Sequence, residues 1–287
     1  MKIAAVIVTF HPDLILLKRN LGVLRDENIE IIVIDNTQDS YIADIDETKE
    51  IKFISIGKNI GIAAAQNIGI SKAVNADAII FFDQDSVVMP GFVSHLCSFL
   101  NIEKPEIVSP ICIDSRTNEE LPSIRISKWG LPINMFCKGE LAPVPVDIVI
   151  SSGTAATGKV FQVAGVLLEP FFIDLVDTEW CLRCRSLGIP IKVIPFTTLP
   201  HQIGDGTIKI LNKFIHHHNY TRSYFQIRNT IWLLKLKYSP KLYILGEIIA
   251  TITYTLFFIL TKSPKKSYLS ALARGIYHGL SGRVVYK

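Results

Sequence analysis

Asp83 and Asp85 stand one residue apart at the end of an apolar run, in the stretch FFDQDS. Two carboxylates at the end of a strand repel each other unless a cation lies between them. A hard divalent cation, Mg²⁺ or Mn²⁺, takes oxygen ligands of this kind and would bridge them to a diphosphate. An isolated Asp-x-Asp is more often a solvated turn or a helix cap; here the buried strand before it favours a ligand site. The second candidate is NIGIAAAQNIGI, residues 59–70, where Asn59, Gly61, Asn67 and Gly69 combine close-approach glycines with side-chain amides. A helix starting there would favour an anionic ligand, although the same residues serve plain capping. The spacing is not Gly-x-Gly-x-x-Gly, which disfavours a dinucleotide such as NAD.

These residues need elements to hold them. The runs IAAVIVT (3–9), IEIIVID (29–35), IKFISIG (51–57) and DAIIFFD (77–83) are short, β-branched and continuous, as buried parallel strands are. Residues 13–26 and 61–75 have helical periodicity between them. The alternation predicts a doubly wound α/β sheet with right-handed crossovers, which binds ligands beyond the carboxyl ends of its strands. Thr9, Asp35 and Asp83 all fall at such ends. Farther on, residues 114–145 read as irregular, VDIVISSG (146–153) as a strand, Asp177 to about Leu187 as a helix and IPIKVIP (189–195) as a strand. From His216 the pattern is helical, in up to three segments broken at Ser239-Pro240 and Ser263-Pro264.

The chain of 287 residues, 49% hydrophobic, suffices for one large α/β domain and an appendage. Its first ten residues read as a strand rather than a secretory signal. Five scattered cysteines suit a reducing compartment. Cys181 and Cys184 form a CxxC with no second pair, which points to helix packing before zinc or redox chemistry. Charge is uneven: residues 209–287 hold 13 Lys and Arg against Glu247, a net of +12, and the preceding 208 residues carry −8. Such a tail seeks an anionic surface. Its basic residues border large apolar faces rather than a polar groove, which argues against nucleic acid.

VIVTF, VIDN, NIGIAAAQNIGI and FFDQDS, in this order, resemble the nucleotide-binding half of inverting glycosyltransferases of family two. The likeness continues through SSGT (151–154), FFIDLVDTEWCLRCRSLG (171–188), HQIGD (201–205) and HNYTRSYFQIRN (218–229), and covers most of residues 1–230. The later motifs are most similar to the rhamnosyltransferase branch, which uses dTDP-rhamnose. The resemblance implies a GT-A fold, Rossmann-like with a mostly parallel central sheet. It implies a catalytic domain over 1–213, with a nucleotide half to about 113 and an acceptor half over 114–213. A basic, amphipathic helical region follows over 214–287.

Roles carry over residue by residue. The resemblance implies that Thr9, Phe10 and Asp35 hold the nucleobase and ribose, with Asn59, Gly61 and Asn67 close to the nucleotide. Asp83 would lie by the ribose and diphosphate, beside Gln84, and Asp85 would be the main carboxylate on the metal. His201 would complete the metal site; read without the resemblance it is a loop residue after TTLP. Asp177 would be the catalytic base, although the family usually has Glu where this chain has Val176. Without the resemblance, Asp177 is a helix cap and Glu179–Arg183 an i,i+4 pair on the helix surface. Ser152, Gly153, Glu179, Trp180, His218 and Arg222 would lie near the acceptor or diphosphate. A hydrolase would instead flank the bond with two carboxylates, which the clustered Asp83 and Asp85 do not suit.

LYILGEIIATITYTLFFILT (242–261) is about long enough to cross a bilayer, yet Glu247, Thr251 and Thr255 make a polar stripe. An in-plane or packed helix is the expectation, with peripheral attachment at the cytoplasmic face of an anionic membrane. The expected partners are a nucleotide sugar and a lipid-linked glycan; self-association is left open. A UDP-sugar donor, a sugar-nucleotide nucleotidyltransferase and a non-catalytic membrane scaffold are the competing readings.

Overall fold

The computed structural model describes residues 1–39, 51–201, 206–210, 213–217 and 219–284. Four parallel strands, β1 (Ile3–Thr9), β2 (Glu30–Asp35), β3 (Ile51–Ser55) and β4 (Ala78–Asp83), form one half of the central sheet. Helix α1 (Leu14–Asp26) links β1 to β2 and α2 (Ile62–Lys72) links β3 to β4. The β1 pleat explains the packing. Ala5 and Ile7 face Leu17, Leu21 and Leu24 of α1, whereas Ala4, Val6 and Val8 face Ala65 of α2. Each buried Leu or Ile of these layers contributes roughly 1.5–3 kcal/mol. Gly69 belongs to this packing, because a Cβ there would meet Val6 Cγ1 at 2.3 Å.

After α3 (Phe92–Cys97) and β5 (Ile107–Asp114), residues expected to be irregular contain a hairpin of β6 (Ser123–Ile126) and β7 (Pro132–Met135). The strand expected over 146–153 is not formed. β8 (Val144–Val146) stops early, and pairing resumes only in β9 (Ala155–Thr157). In between, Gly153 adopts φ +74° and the Ser151 and Ser152 hydroxyls bond to other side chains instead of leaving a ladder to form. Helices α4 (Gly158–Ala164) and α5 (Val176–Ser186) follow, then β10 (Ile191–His201). β10 runs six residues beyond its expected end, because a bulge between Ile194 and Thr198 absorbs Pro195. The sheet order is β3-β2-β1-β4-β9-β5-β10-β8, with only β9 and β8 antiparallel to their neighbours.

The chain continues through β11 (Gly206–Ile210) and β12 (Lys213–His217) into α6 (Tyr220–Lys235), α7 (Lys241–Thr261) and α8 (Lys265–Ser281). His216 thus lies on a strand, and the helix begins at Tyr220, capped by the Asn219 side chain on Arg222 N. The breaks at Pro240 and Pro264 fall where expected. Leu233, Tyr243 and Ile244 enter the same core cluster as Trp180 and Ile148, so these helices pack on the sheet body. Helix α7 is long and apolar enough to cross a membrane, and only 17% of its apolar window is buried. All five cysteines are free and buried. Cys181 and Cys184 sit in the α5 core, where burial raises both thiols and makes them poor nucleophiles.

Candidate functional site

Register places the polar strand ends on one rim. Thr9 pairs with Asp35 and Val8 with Asp83 across β1, while His201 pairs with Asp114 across β10 and β5. A cleft of about 420 Å³ opens there, and Thr9, Phe10, Asn59, Gly61, Asp83, Gln84, Asp85, Asp177, His201 and Arg222 all line it. Six separate stretches of sequence thus supply one surface.

Gln84 fastens the rim. Its Oε1 accepts from Phe10 N at 2.7 Å and its Nε2 donates to Phe10 O at 3.2 Å, so the side chain acts as a short strand between the β1 end and the acidic turn. Beneath it, Ser152 Oγ accepts from Asp83 N at 3.3 Å and shares a hydrogen bond with Ser86.

The cluster of Asp83, Asp85 and His201 presents ligand atoms all within 4.8 Å of one another. His201 Nε2 lies 3.6 Å from Asp83 Oδ2, and Nδ1 lies 3.4 Å from Asp85 Oδ1. Both atoms of the second pair are buried, and neither makes a hydrogen bond among the described residues. Two orphaned acceptor-type atoms, one from Asp85 and one from His201, beside the carboxylate of Asp83 are a donor set that a hard or borderline divalent cation satisfies. Burial pushes the Asp83 carboxyl up to about 6; the His201 charge opposes the rise, and Asp85 and Asp177 add to it. For His201 burial works downward, yet the Asp85 contact and the charges of Asp83, Asp85 and Asp114 outweigh it and raise the imidazole.

Across the cleft, Asp177 occupies the first turn of α5, where its Oδ1 accepts from Thr178 N at 2.7 Å. Burial raises its carboxyl above the ordinary aspartate value, against the opposing backbone N–H bonds of Thr178 and Ser151. A half-buried carboxylate of raised basicity facing an acidic cation-type cluster is suited to taking a proton from a hydroxyl.

Residues 5–156, just over half of the chain, match the family described as "Glycosyl transferase family 2". The chain belongs to this family. It is therefore a glycosyltransferase, and its α/β sheet has the GT-A architecture of its structural neighbours. The family member is 35% identical over 283 residues to "dTDP-rhamnosyl transferase RfbF" of Shigella flexneri, covering 98% of this chain and 96% of that one. S. aureus TarS 1-349, solved in complex with UDP-GlcNAc, superposes with a TM-score of 0.60 at 13% identity, over 99% of this chain and 83% of that one. GalNAc-T7, solved with UDP, GalNAc and Mn²⁺, superposes with a TM-score of 0.59 at 17% identity; 74% of this chain spans 44% of that one.

The structure places other expected residues outside the cleft of this glycosyltransferase. Asp35 is buried under it, where Oδ1 accepts from Thr9 Oγ1 and Thr37 Oγ1, each at 2.8 Å. Its Oδ2 has no hydrogen-bond partner among the described residues. Asn67 turns away to bond Leu167 O at 2.9 Å and Leu167 N at 2.9 Å, which fastens α2 to the chain before the turn at Glu169–Phe171. Glu179 is not on the helix surface: it is 1% exposed, held by Arg183 at 2.8–2.9 Å and by the Tyr238 hydroxyl. Trp180 is buried against Phe161 at 5.4 Å. Ser152 and Gly153 are buried too; a Cβ at Gly153 would meet Leu199 at 2.7 Å. These residues support the cleft from behind. His218 lies outside the described residues.

Sequence reasoning missed the wall between the cleft and α6. Phe172, Asp174 and Leu175 have φ of +64°, +63° and +60°, and none is glycine. Such backbone persists only when its surroundings over-determine it. Asn229 Nδ2 donates to Phe171 O, Ile173 O and Asp174 O at 2.8–2.9 Å. Arg228, 0% exposed, donates to Pro170 O and Phe171 O. Arg222 pairs with Asp174, and Phe172 stacks on Phe225 at 4.8 Å. The motif IRN was legible; that it holds a left-handed segment was not. Asn36 and Gln66 also line the cleft and were missed.

Proposed function

We propose that this glycosyltransferase is metal-dependent and inverting, and moves L-rhamnose from dTDP-rhamnose to a lipid-linked saccharide in cell-surface polysaccharide synthesis. The observation that carries the reading is Asp177 facing the Asp83, Asp85 and His201 cluster across one cleft. The donor assignment rests on the near full-length similarity to a dTDP-rhamnosyl transferase. The lipid acceptor and the attachment to the cytoplasmic face of a membrane rest on the +12 tail and the exposed apolar surface of α7. Residues 1–213 form the catalytic body in this reading and 214–287 the attachment region.

The chemistry follows from what the side chains can hold. Asp177 accepts the proton of the acceptor hydroxyl as its oxygen bonds to the anomeric carbon, because that hydroxyl is far too weak an acid to ionise beforehand. The bond from that carbon to the diphosphate oxygen breaks on the opposite face, which inverts the configuration. The departing dTDP gains charge beside the Arg222 guanidinium. Asp83, Asp85 and His201 would hold Mg²⁺ or Mn²⁺, which supplies further positive charge to the leaving diphosphate. Gly61 and Asn59, at the α2 start, leave room for the nucleotide backbone to approach.

Nucleotide release from dTDP-rhamnose, UDP-glucose and UDP-GlcNAc, each with Mn²⁺ or chelator, tests this reading. Release of dTDP that depends on metal is the expected result. Preference for a UDP-sugar would replace the donor, and equal rates in chelator would remove the metal.

A further inference from the structure

We infer that a second cavity, between α6 and α8, binds the phosphate head of the lipid that carries the acceptor saccharide. This rests on the lipid-linked acceptor proposed above and gives it a place. The cavity holds about 330 Å³ and is lined by Tyr220, Tyr224 and Phe225 of α6 and by Lys266, Ala271 and Arg274 of α8.

Four observations point to an anionic amphiphile. First, Lys266, Ser270 and Arg274 recur every four residues, so they share one face of α8. Among the described residues no carboxylate pairs with either cation, and the whole segment 209–287 has Glu247 as its single acid. Second, the floor is aromatic, and Arg274 lies 5.4 Å from the Tyr224 ring centroid. Third, the cavity is rigidly built. A Cβ on Gly275 or Gly279 would come within 2.9 Å of Ile227 or Ile231, so the two helices are in close contact along one side. Fourth, it shares a wall with the catalytic cleft: Phe172 lines the cleft, Phe225 lines the cavity, and the two rings stack at 4.8 Å.

Apolar surface for a lipid tail is exposed on the helix that packs on α8. Helix α7 packs on α8 through Phe258 and Tyr268, at 6.0 Å, and exposes Leu245, Ile249 and Leu260. A phosphate between Lys266 and Arg274 would thus have its lipid tail along exposed apolar helix and its sugar beyond the Phe172 wall. Neither a free phosphate nor a nucleotide accounts for both ends.

Farnesyl phosphate is the probe, measured by thermal shift and equilibrium binding on the full chain in mild detergent. Wild type should bind it at least tenfold more tightly than farnesol or inorganic phosphate. Lys266→Gln/Arg274→Gln should lose most of that preference while still responding to dTDP-rhamnose with Mn²⁺, which reports a folded cleft. Ala271→Trp, which fills the cavity without removing charge, should lose binding as well. Equal binding of farnesol or inorganic phosphate would overturn the proposal, as would unchanged binding in both variants. Lysophosphatidic acid binding as tightly as farnesyl phosphate would make this a general membrane contact and also overturn it. Metal-dependent release of dTDP by a wild type that ignores farnesyl phosphate would sink this inference alone; absence of that release would sink the donor reading instead.

Discussion

The Arg222 guanidinium grips the Asp174 carboxylate from two nitrogens, Nη2 to Oδ1 at 2.6 Å and Nε to both oxygens at 3.2 Å. This pair ties the first turn of α6 to a segment that ends two residues before Asp177. The proposed base is thereby positioned by a helix more than forty residues later in the chain. Three left-handed residues in four cost of order 1–3 kcal/mol each, and the bonds from α6 offset that strain.

Asn229 is the member of this clamp whose loss should be clearest. Asn229→Ala removes the donor shared by three carbonyls; Phe171 O keeps its bond from Arg228, but Ile173 O and Asp174 O lose this partner inside the protein, where each unsatisfied group costs about 1–3 kcal/mol. Urea denaturation should register a loss of about 3 kcal/mol. In the folded fraction, kcat should fall more than the donor KM rises, because the base is displaced while the nucleotide cleft persists. An unchanged kcat in a destabilised variant would show that the segment does not set the position of Asp177.

Asp177→Asn separates chemistry from stability. Removal of a general base lowers turnover by about 10²–10⁴-fold, and nucleotide binding should survive, because the proposed role of Asp177 is on the acceptor side. Stability should move the other way. Burial raises the folded-state pKa above the ordinary aspartate value, so the unfolded chain ionises first. The penalty therefore grows as pH rises from the ordinary value to the folded one, and is complete above it. The variant should melt higher than wild type at pH 8 and equally at pH 4. The acid limb of wild-type kcat/KM should likewise lie above the usual aspartate range. A variant less stable than wild type at pH 8 would contradict the raised pKa.

Much of this site was legible in the sequence because strand ends in a parallel sheet must meet at one rim. Thr9, Asp83 and the 3–9, 30–35 and 78–83 strands followed from apolar runs that stop at polar residues. His201 was harder to read. Its place after TTLP, beyond the strand expected to end at Pro195, read as a loop, and only the bulge in β10 carries the histidine to the rim. Asn67, Glu179 and Trp180 have the polarity or size of ligand residues, yet their partners are Leu167, Arg183 and Phe161. Residue type cannot reveal such partners, since they come from stretches that approach only in the folded chain. The left-handed segment at 172–175 had no glycine to announce it.

A bound cation stabilises the folded chain by mass action. A cation at 100 times its dissociation constant stabilises the folded state by about 2.7 kcal/mol. Mn²⁺ with dTDP should therefore raise the melting temperature of wild type. Asp85→Ala and His201→Ala should each remove most of the metal-dependent increment, since each deletes one of three grouped ligands. A full increment in both variants would place the ion elsewhere.

Gly61 tests whether the floor of the cleft tolerates a side chain. It adopts φ +85°, and an added Cβ would sit 2.6 Å from both Phe172 O and Phe172 Cδ2. Phe172 O also accepts from Ile62 N at 2.7 Å, the first turn of α2. Gly61→Ala thus meets a backbone atom that is already bonded, on a residue itself held left-handed by α6. Relief requires either α2 or the 172–175 segment to shift, and both line the cleft proposed to hold the nucleotide. The expected outcome is a loss of roughly 1–3 kcal/mol and a rise in donor KM with a smaller change in kcat. Gly22→Ala on α1 is the control, because nothing lies within 4 Å of its added Cβ. In an exposed helix that change should stabilise by up to about 1 kcal/mol. Equal effects at the two glycines would show that the contact with Phe172 yields at little cost and that the cleft floor is softer than its packing implies.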